Sequence, residues 1–439
     1  MTVTLTETKT TTQVLDEARA RIGAHINELS PSLRTEVNKV LHDNPELGYN
    51  EVIAHDTLTF YLEKHGFTVI KGAYGLSTSF EATLDSGKGG RLVVFCAEYD
   101  ALPGIGHACG HNLVATSSLA AFISSARAIV DLGIAGRVRI LGTPAEEGGG
   151  GKVKLIEAGA FNEPGGIDAA VMVHPMAAES LGFSNRNPKM DYAGLAGMES
   201  IASQKLRVEF RGRTAHAAVN PWDGANALDA AVAAYNNVSM LRQHIRPDER
   251  IHGVFEDGGA APNVIPEYTR MHWCIRSPTV KRSEVLLKRV KACFEAGAAA
   301  SGCEVNYIPS PTYKDLIPID TLCTTYAEEM SHQGLAFQPR QMKPSALGST
   351  DMGNVSHLVP SLHGLFAIPV SQSGVSCHNP GFAAAAATDE AHEITMKCAK
   401  GLAMLALRVL LDEDVAAVPL HKLCIHSQAT GSLLLLLAQ

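Results

Sequence analysis

Three short stretches of this chain are almost entirely apolar, and they constrain its fold more than any other feature. They occupy residues 92–96, 138–142 and 169–173. A strand with one wet face alternates apolar and polar residues, so a nearly continuous apolar run is typical of a strand buried on both faces. Helical patterns separate the strands. We therefore predict an α/β fold in which helices cover both faces of a mixed, mostly parallel sheet.

Each apolar run is followed by side chains that can carry chemistry. Glu98 and Asp100 follow the first run, Glu146 and Glu147 follow the second, and His174 follows the third. The carboxyl ends of parallel strands meet at one edge of a sheet, which is where open α/β sheets place ligands. We expect these carboxylates and this imidazole to converge on one site.

A Cys-Gly-His triplet lies close to the first strand end and adds metal-binding side chains. The candidate ligands are Cys109, His111, Glu147, His174 and His378. Five protein ligands are many for one tetrahedral ion, but they fit two ions that share a bridging ligand. We predict that Cys109 is the bridge and that Glu146 remains free to act as general base.

Each motif alone has a more ordinary interpretation. A Cys-Gly-His triplet is often a buried thiol beside a surface histidine, a Glu-Glu pair before glycines is often a solvated turn, and His-Pro is common in loops. The four glycines at 148–151 lack the residues of a phosphate-binding loop, since Lys152 is followed by Val153. The coincidence of all the motifs at strand ends favours a metal site.

Composition limits the kinds of partner that this protein binds and the cellular compartment in which we expect it. The chain has 439 residues, 46% of them hydrophobic, and a formal net charge of −8. This charge gives no electrostatic reason to expect nucleic acid or an anionic membrane as a partner. The nine cysteines follow no regular spacing, and the N-terminus lacks the apolar core of a signal peptide, so we expect a cytoplasmic protein.

The order of the predicted elements changes near residue 200. Residues 200–312 show a β-α-β-β-α-β order with one wet sheet face, which is typical of a ferredoxin-like domain. We predict that this domain is inserted as a lid into a catalytic domain formed by residues 13–199 and 313–414. Residues 1–12 and 415–439 are expected to be flexible termini.

Five motifs carry a resemblance to a known family. They are EYDALP at 98–103, GHACGHN at 106–112, TPAEEG at 143–148, GRTAHAA at 212–218 and GSTDMG at 348–353. They resemble the metallopeptidase family of aminoacylase-1 and carboxypeptidase G. Within it they are similar to the branch of hippurate hydrolase, auxin-conjugate amidohydrolases, the p-aminobenzoyl-glutamate hydrolase subunit and aminoacylase-1-like dipeptidases.

This resemblance implies a catalytic domain with two divalent ions, zinc or manganese, and a lid that forms a homodimer. One ion would take Cys109, His111 and His174, and the other Cys109, Glu147 and His378. Glu146 would be the general base, and Asp100 would orient a ligand. Glu98 stands where more distant members have a metal-binding histidine.

The resemblance also implies binding groups outside the metal site. His216 resembles a lid histidine that reaches an active site across the dimer, although a surface histidine is the simpler interpretation. Asn263 and Arg276 resemble lid residues that hold the amide or carboxylate of the substrate, although Arg276 also fits a solvated strand face. Ser349 and Asp351 are expected to line the pocket.

The function that this resemblance implies is a metal-dependent amidohydrolase. It would cleave the amide bond of an N-acyl amino acid or a small, unusual dipeptide with a metal-activated water. Two alternatives remain at this stage. The same fold could form or cyclise an amide in a specialised metabolite, or it could serve as a non-catalytic binding subunit.

Overall fold

The computed structural model describes residues 10–181, 192–340 and 348–416. The helices are α1 (Thr11–Ser32), α2 (Lys39–Asp43), α3 (Val52–Lys64), α4 (His111–Leu132), α5 (Gly151–Glu157), α6 (Ala227–Leu241), α7 (Val280–Ser301), α8 (Asp320–Ser331), α9 (Met352–Ser356), α10 (Pro380–Ala386) and α11 (Asp389–Leu411). The strands are β1 (Val69–Lys71), β2 (Phe80–Asp85), β3 (Leu92–Ala97), β4 (Arg137–Gly142), β5 (Ala169–Ala177), β6 (Gly194–Leu195), β7 (Ala202–Arg211), β8 (Arg250–Asp257), β9 (Tyr268–Ser277), β10 (Glu304–Pro309), β11 (Phe337–Gln338) and β12 (Ser361–Ile368).

The larger sheet has eight strands in the order β1-β2-β4-β3-β5-β12-β6-β11. Its centre is parallel, because β4, β3, β5 and β12 all run in one direction. Strand β2 pairs with β4 in the antiparallel sense, as does β6 with β12. The prediction of a mixed, mostly parallel sheet is therefore confirmed.

The position of β3 between two cores explains why its sequence is apolar without a break. Val93 and Phe95 point into the larger core, which also contains side chains from α1, α4 and α11. Val94 and Cys96 point into a second core on the opposite face. Since successive side chains of a strand alternate between faces, both faces must be apolar when both are covered.

Helix α4 is the most deeply buried of the long helices around this sheet. Among the described residues, it alone has the length and apolar composition that could cross a membrane, and 89% of that stretch is buried inside the protein. It packs against α1, α11 and β3. Its composition is accounted for by this central position in the core.

The smaller sheet lies within residues 202–309 and forms the lid. Its strands are all antiparallel, in the order β10-β7-β9-β8, and α6 and α7 pack on one face around Trp273 and Phe294. This is the arrangement expected from a β-α-β-β-α-β order, so the predicted ferredoxin-like lid is confirmed. The chain enters and leaves the lid at a neck, where Ser203 and Tyr313 exchange two backbone hydrogen bonds of 2.9 Å.

Two details differ from the predictions. Strand β5 continues to Ala177, so His174 lies inside the strand instead of after it. Thr10, expected in a flexible terminus, caps α1, with its side chain accepting a hydrogen bond from the Gln13 amide. Of the two predicted flexible termini, residues 1–9 and 417–439 lie outside the described residues.

Candidate metal centre

The turn before α4 brings two of the predicted ligands against the third. Gly110 separates Cys109 from His111 and adopts φ +82°, which side chains other than glycine rarely allow. A Cβ atom at this position would lie 2.5 Å from Cγ of Pro175, the residue after His174. Only glycine permits this approach, which explains the residue between the two ligands.

The first ligand group is buried and compact. Donor atoms of Cys109, His111 and His174 all lie within 4.8 Å of one another. The Sγ atom of Cys109 is 3.4 Å from Nε2 of His174, and Nδ1 of His174 is 2.8 Å from the carbonyl oxygen of Pro175. This carbonyl holds the ring so that Nε2 faces the thiol.

The second ligand group shares one residue with the first. Donor atoms of Cys109, Glu147 and His378 also lie within 4.8 Å of one another. Nε2 of His378 is 3.1 Å from Oε1 of Glu147. The amide of His378 donates to the carbonyl of Ala108 at 2.8 Å, which fixes this loop beside Cys109. Cys109 is thus common to both groups, and its role as a bridge between two ions stays a prediction.

The surroundings of His111 fit a metal ligand. Its Nδ1 atom lies 2.8 Å from the carbonyl oxygen of Asp100 and 3.1 Å from Oδ1 of Asp100, whereas its buried Nε2 atom has no hydrogen-bond partner. A buried polar atom without a partner is costly, and a cation would satisfy it. Oδ2 of Asp100 accepts a hydrogen bond from the amide of Glu147 at 2.8 Å, so Asp100 orients parts of both groups.

The surroundings of the adjacent residues Glu146 and Glu147 shift their pKa values in opposite directions. Burial would raise the pKa of Glu147, but its hydrogen bond to His378 and the nearby His111 lower that pKa to about 2. Burial, with the negative charges of Glu98 and Glu147, raises the pKa of Glu146 well above its ordinary value. Glu147 is thus kept as an anion, the form in which a carboxylate binds a metal ion. Glu146 has the greater proton affinity, which is required of a base.

The turn that carries both glutamates is held from two distant parts of the chain. Ala145 has φ +58°, a strained value for a residue with a side chain, and its amide donates to Oε1 of Glu51 at 2.8 Å. The hydroxyl of Tyr313 donates to the carbonyl of Glu146 at 2.5 Å and accepts from the amides of Gly148 and Gly150 at 3.0 and 2.9 Å.

A cavity of about 360 Å³ opens over these groups, between the catalytic domain and the lid. Its catalytic wall includes Cys109, Glu146 and Glu147, and its lid wall includes Lys205 and Arg276. Its volume is in the range of sites for small molecules. One wall therefore carries candidate ligands and the candidate base, and the opposite wall carries two cationic side chains.

Known proteins are similar to this chain in sequence and in fold. The model of Peptidase family M20/M25/M40 matches residues 94–401. The chain is 38% identical to the Xaa-Arg dipeptidase of Mus musculus over 408 residues, covering 90% of this chain and 87% of that protein. This chain belongs to peptidase family M20/M25/M40.

Two further comparisons place the peptidase among its relatives. It is 29% identical to a p-aminobenzoyl-glutamate hydrolase component of Escherichia coli (strain K12), covering 68% of this chain and 62% of that protein. A dinuclear metal binding peptidase of Bacillus subtilis matches its fold with a TM-score of 0.58 at 19% identity, covering 90% of this chain and 99% of that chain. The expected family resemblance is confirmed, and metal-dependent amide hydrolysis is supported over the synthetic and non-catalytic alternatives.

The structure places the other predicted residues of the peptidase at different distances from the cavity. Arg276 and Ser349 line it, and Nη1 of Arg276 donates to Oγ of Ser349 at 3.0 Å. Asp351 does not line it, because this side chain is fully buried and faces Lys152. His216 and Asn263 lie exposed on the lid and are not among the cavity-lining residues, so their roles remain predictions that require a second subunit.

Several residues of the site were not found by sequence reasoning. They are Glu51, Lys152, Lys205, Tyr313, His363 and Cys377. His363 lines the cavity, and its ring stacks on that of His174 with 5.8 Å between centroids. None of these residues stands in a motif with ligand spacing. Cys377 alone had a local signal, since it precedes the predicted ligand His378.

Proposed function

We propose that this peptidase hydrolyses the amide bond of a dipeptide or an N-acyl amino acid with two divalent cations, zinc or manganese. The observation that carries the proposal is the sharing of Cys109 by two ligand groups. The residues for one ion are Cys109, His111 and His174, and those for the other are Cys109, Glu147 and His378. A thiolate and imidazoles favour zinc, whereas carboxylate and imidazole donors also suit manganese.

When bound, such a pair of cations lowers the pKa of a water and polarises the carbonyl of the amide. Glu146 takes a proton from the attacking water and delivers it to the leaving amine. Its position supports this transfer, because Glu146 lines the cavity and one of its oxygens lies within 4.8 Å of donor atoms of His111 and Glu147. Asp100 keeps His111 oriented, so the ligand does not turn during the reaction.

The cavity supports a substrate with a free carboxylate. Arg276 lies on the lid wall and is fixed by Ser349, while Lys205 adds a second positive charge. A guanidinium group binds a carboxylate with paired hydrogen bonds. The name of the mouse relative, an Xaa-Arg dipeptidase, makes dipeptides with C-terminal arginine the first substrates to test.

We further propose that the peptidase is a cytoplasmic homodimer joined through the lid, in which His216 and Asn263 reach the partner's site. Strand β8 lies at an open edge of the lid sheet within the described residues. Large apolar side chains are exposed on the lid, including Val219, Trp222, Val254 and Val264. All eight cysteines in the described part of the chain are free thiols, which supports a reducing compartment.

The proposal is tested by counting metal ions in the purified peptidase and assaying hydrolysis before and after chelation. The substrate panel contains Xaa-Arg and β-alanyl dipeptides and N-acyl amino acids, with identification of the released amine. About two ions per chain and activity lost on chelation are expected. A metal-loaded protein that releases no amine from any member of the panel would contradict the proposed function.

A further inference from the structure

Lys152 is fully buried behind the metal centre, in the first turn of α5. Its ammonium lies 2.6 Å from Oε1 of Glu98 and 2.6 Å from Oδ1 of Asp351. Its amide donates to Oδ2 of Asp351 at 2.9 Å. A buried ammonium is costly unless it is paired, so the two carboxylates account for its stability in this position.

The glycine run allows Lys152 to reach this position. A Cβ atom on Gly151 would lie 1.6 Å from the carbonyl oxygen of Pro144, and one on Gly149 would lie 2.7 Å from Cβ of Ala145. Helix α5 can therefore begin directly against the turn that carries Glu146. The glycines serve close packing of backbone on backbone instead of binding a phosphate.

The carboxylates held by Lys152 lie next to the reacting groups. Oε2 of Glu98 is 3.5 Å from Nε2 of His111, the nitrogen that has no hydrogen-bond partner. Oxygen atoms of Glu98, Glu146 and Asp351 lie within 4.8 Å of one another. Three carboxylates at this distance repel one another. Within the described residues, Lys152 is the only lysine or arginine that forms an ion pair with any of them.

We propose that Lys152 is a positioning residue for the hydrolysis, whose ammonium holds Glu98 and Asp351 in place beneath His111 and Glu146. Glu98 is thereby held with Oε2 beside Nε2 of His111, and Glu146 is kept pointing into the cavity. The inference rests on the proposed function, and it assigns Lys152 no contact with the substrate, since this residue does not line the cavity.

The test compares three variants with the wild-type holoenzyme. Lys152→Met removes the ammonium and leaves two buried negative charges. Lys152→Met/Asp351→Asn removes it but restores the wild-type net charge of −1 in the cluster of Lys152, Glu98 and Asp351. Glu329→Gln is the matched control, because Glu329 is buried in the same domain and pairs with Arg19 and Arg408 instead of the site.

We expect both Lys152 variants to lose at least tenfold in kcat per metal-loaded site, with KM changed less than twofold. The visible absorption spectrum of the Co²⁺-substituted protein should change in both, because Glu98 becomes free to alter the coordination. Glu329→Gln should lower the thermal midpoint but leave kcat and the spectrum unchanged.

Wild-type kcat and an unchanged Co²⁺ spectrum in the charge-balanced double variant would overturn the proposal, because Lys152 would then only neutralise Asp351. The double variant decides the matter if the single variant does not fold. If the wild-type protein shows no hydrolysis, the proposed function fails, and the Co²⁺ spectrum still decides the role of Lys152 without any turnover.

Discussion

The hydroxyl group of Tyr313 donates a hydrogen bond of 2.5 Å to the backbone carbonyl of Glu146, a residue 167 positions earlier in the chain. The same hydroxyl accepts hydrogen bonds from the amides of Gly148 and Gly150. One side chain therefore holds the turn that carries both the proposed base, Glu146, and a proposed metal ligand, Glu147.

Tyr313→Phe should lower kcat about tenfold and destabilise the protein by about 1–3 kcal/mol, because buried backbone groups lose their partner. Steady-state kinetics and thermal unfolding measure the two effects. Tyr307→Phe is the control, since that hydroxyl makes only long contacts within the lid. Equal behaviour of the two variants would show that the contact with Glu146 has no catalytic importance.

Glu146→Gln should reduce kcat by about 10²–10⁴-fold, which is the usual contribution of a general base. The amide is nearly the same size as the carboxylate, and Glu146 is not assigned as a ligand, so the metal content should stay at the wild-type value. Hydrolysis rates and metal analysis of the same preparation check this prediction. Turnover close to that of the wild type would remove Glu146 as the base.

Cys109→Ala should lower the metal content, because this thiol belongs to both ligand groups. Cys96→Ala provides a matched control, since Cys96 is also a buried thiol, near the carboxyl end of β3, but belongs to neither group. Metal is counted by elemental analysis after dialysis. An unchanged number of ions in Cys109→Ala would be incompatible with a bridging thiolate.

Arg276→Met should raise KM for a substrate with a free carboxylate by about 10–100-fold, since a hydrogen bond to a charged group contributes about 1.5–3 kcal/mol. The value of kcat should change much less. Arg270→Met is the control on the same strand, where the guanidinium pairs with Glu256 at 2.7 Å. If KM rises equally in both variants, Arg276 has no specific role in binding.

Acid should destabilise the fold through His392, which joins α11 to α1. Its Nδ1 atom lies 3.1 Å from Nδ2 of Asn38, and its Nε2 atom lies 3.1 Å from the carbonyl oxygen of Ser30. Burial is the main reason that the pKa of His392 is lowered to about 4; the carbonyl of Ser30 and Asp389 oppose this shift, and Arg34 contributes to it. The unfolded chain, with a histidine pKa of about 6.5, then binds the proton more readily than the folded protein.

Stability should therefore fall as the pH drops from about 6.5 to about 4, by up to about 3 kcal/mol from this residue. Denaturant unfolding at several pH values measures the slope. His392→Gln should flatten it, whereas His332→Gln should not, because His332 is exposed. The same slope in the wild type and His392→Gln would assign the acid sensitivity to other groups.

Local patterns in the sequence were enough to predict the sheet, the lid and which candidate ligands lie close together. The apolar runs indicated buried strands, and candidate ligands lie near the carboxyl ends of these strands, as Glu147 does after β4. The contacts that hold the site in place could not be predicted from these patterns. Glu51, Tyr313 and Lys152 reach it from elements that meet only after folding, and no spacing rule connects them to Glu146.

Ser349 and Asp351, two positions apart in the chain, point their side chains to different places. Both belong to the motif GSTDMG at 348–353, and both were expected to line the pocket. Asp351 stands at the N-cap position of α9 and faces inward to Lys152, whereas Ser349, two residues earlier, faces Arg276 across the cavity. The direction of each side chain is determined where the helix begins, and the motif itself does not contain that information.

The neck between the two domains is linked directly to the turn that carries Glu146. Tyr313 exchanges backbone hydrogen bonds with Ser203 at the point where the chain enters and leaves the lid, and its side chain clamps the carbonyl of Glu146. A single residue therefore couples the connection between the two domains to the position of Glu146.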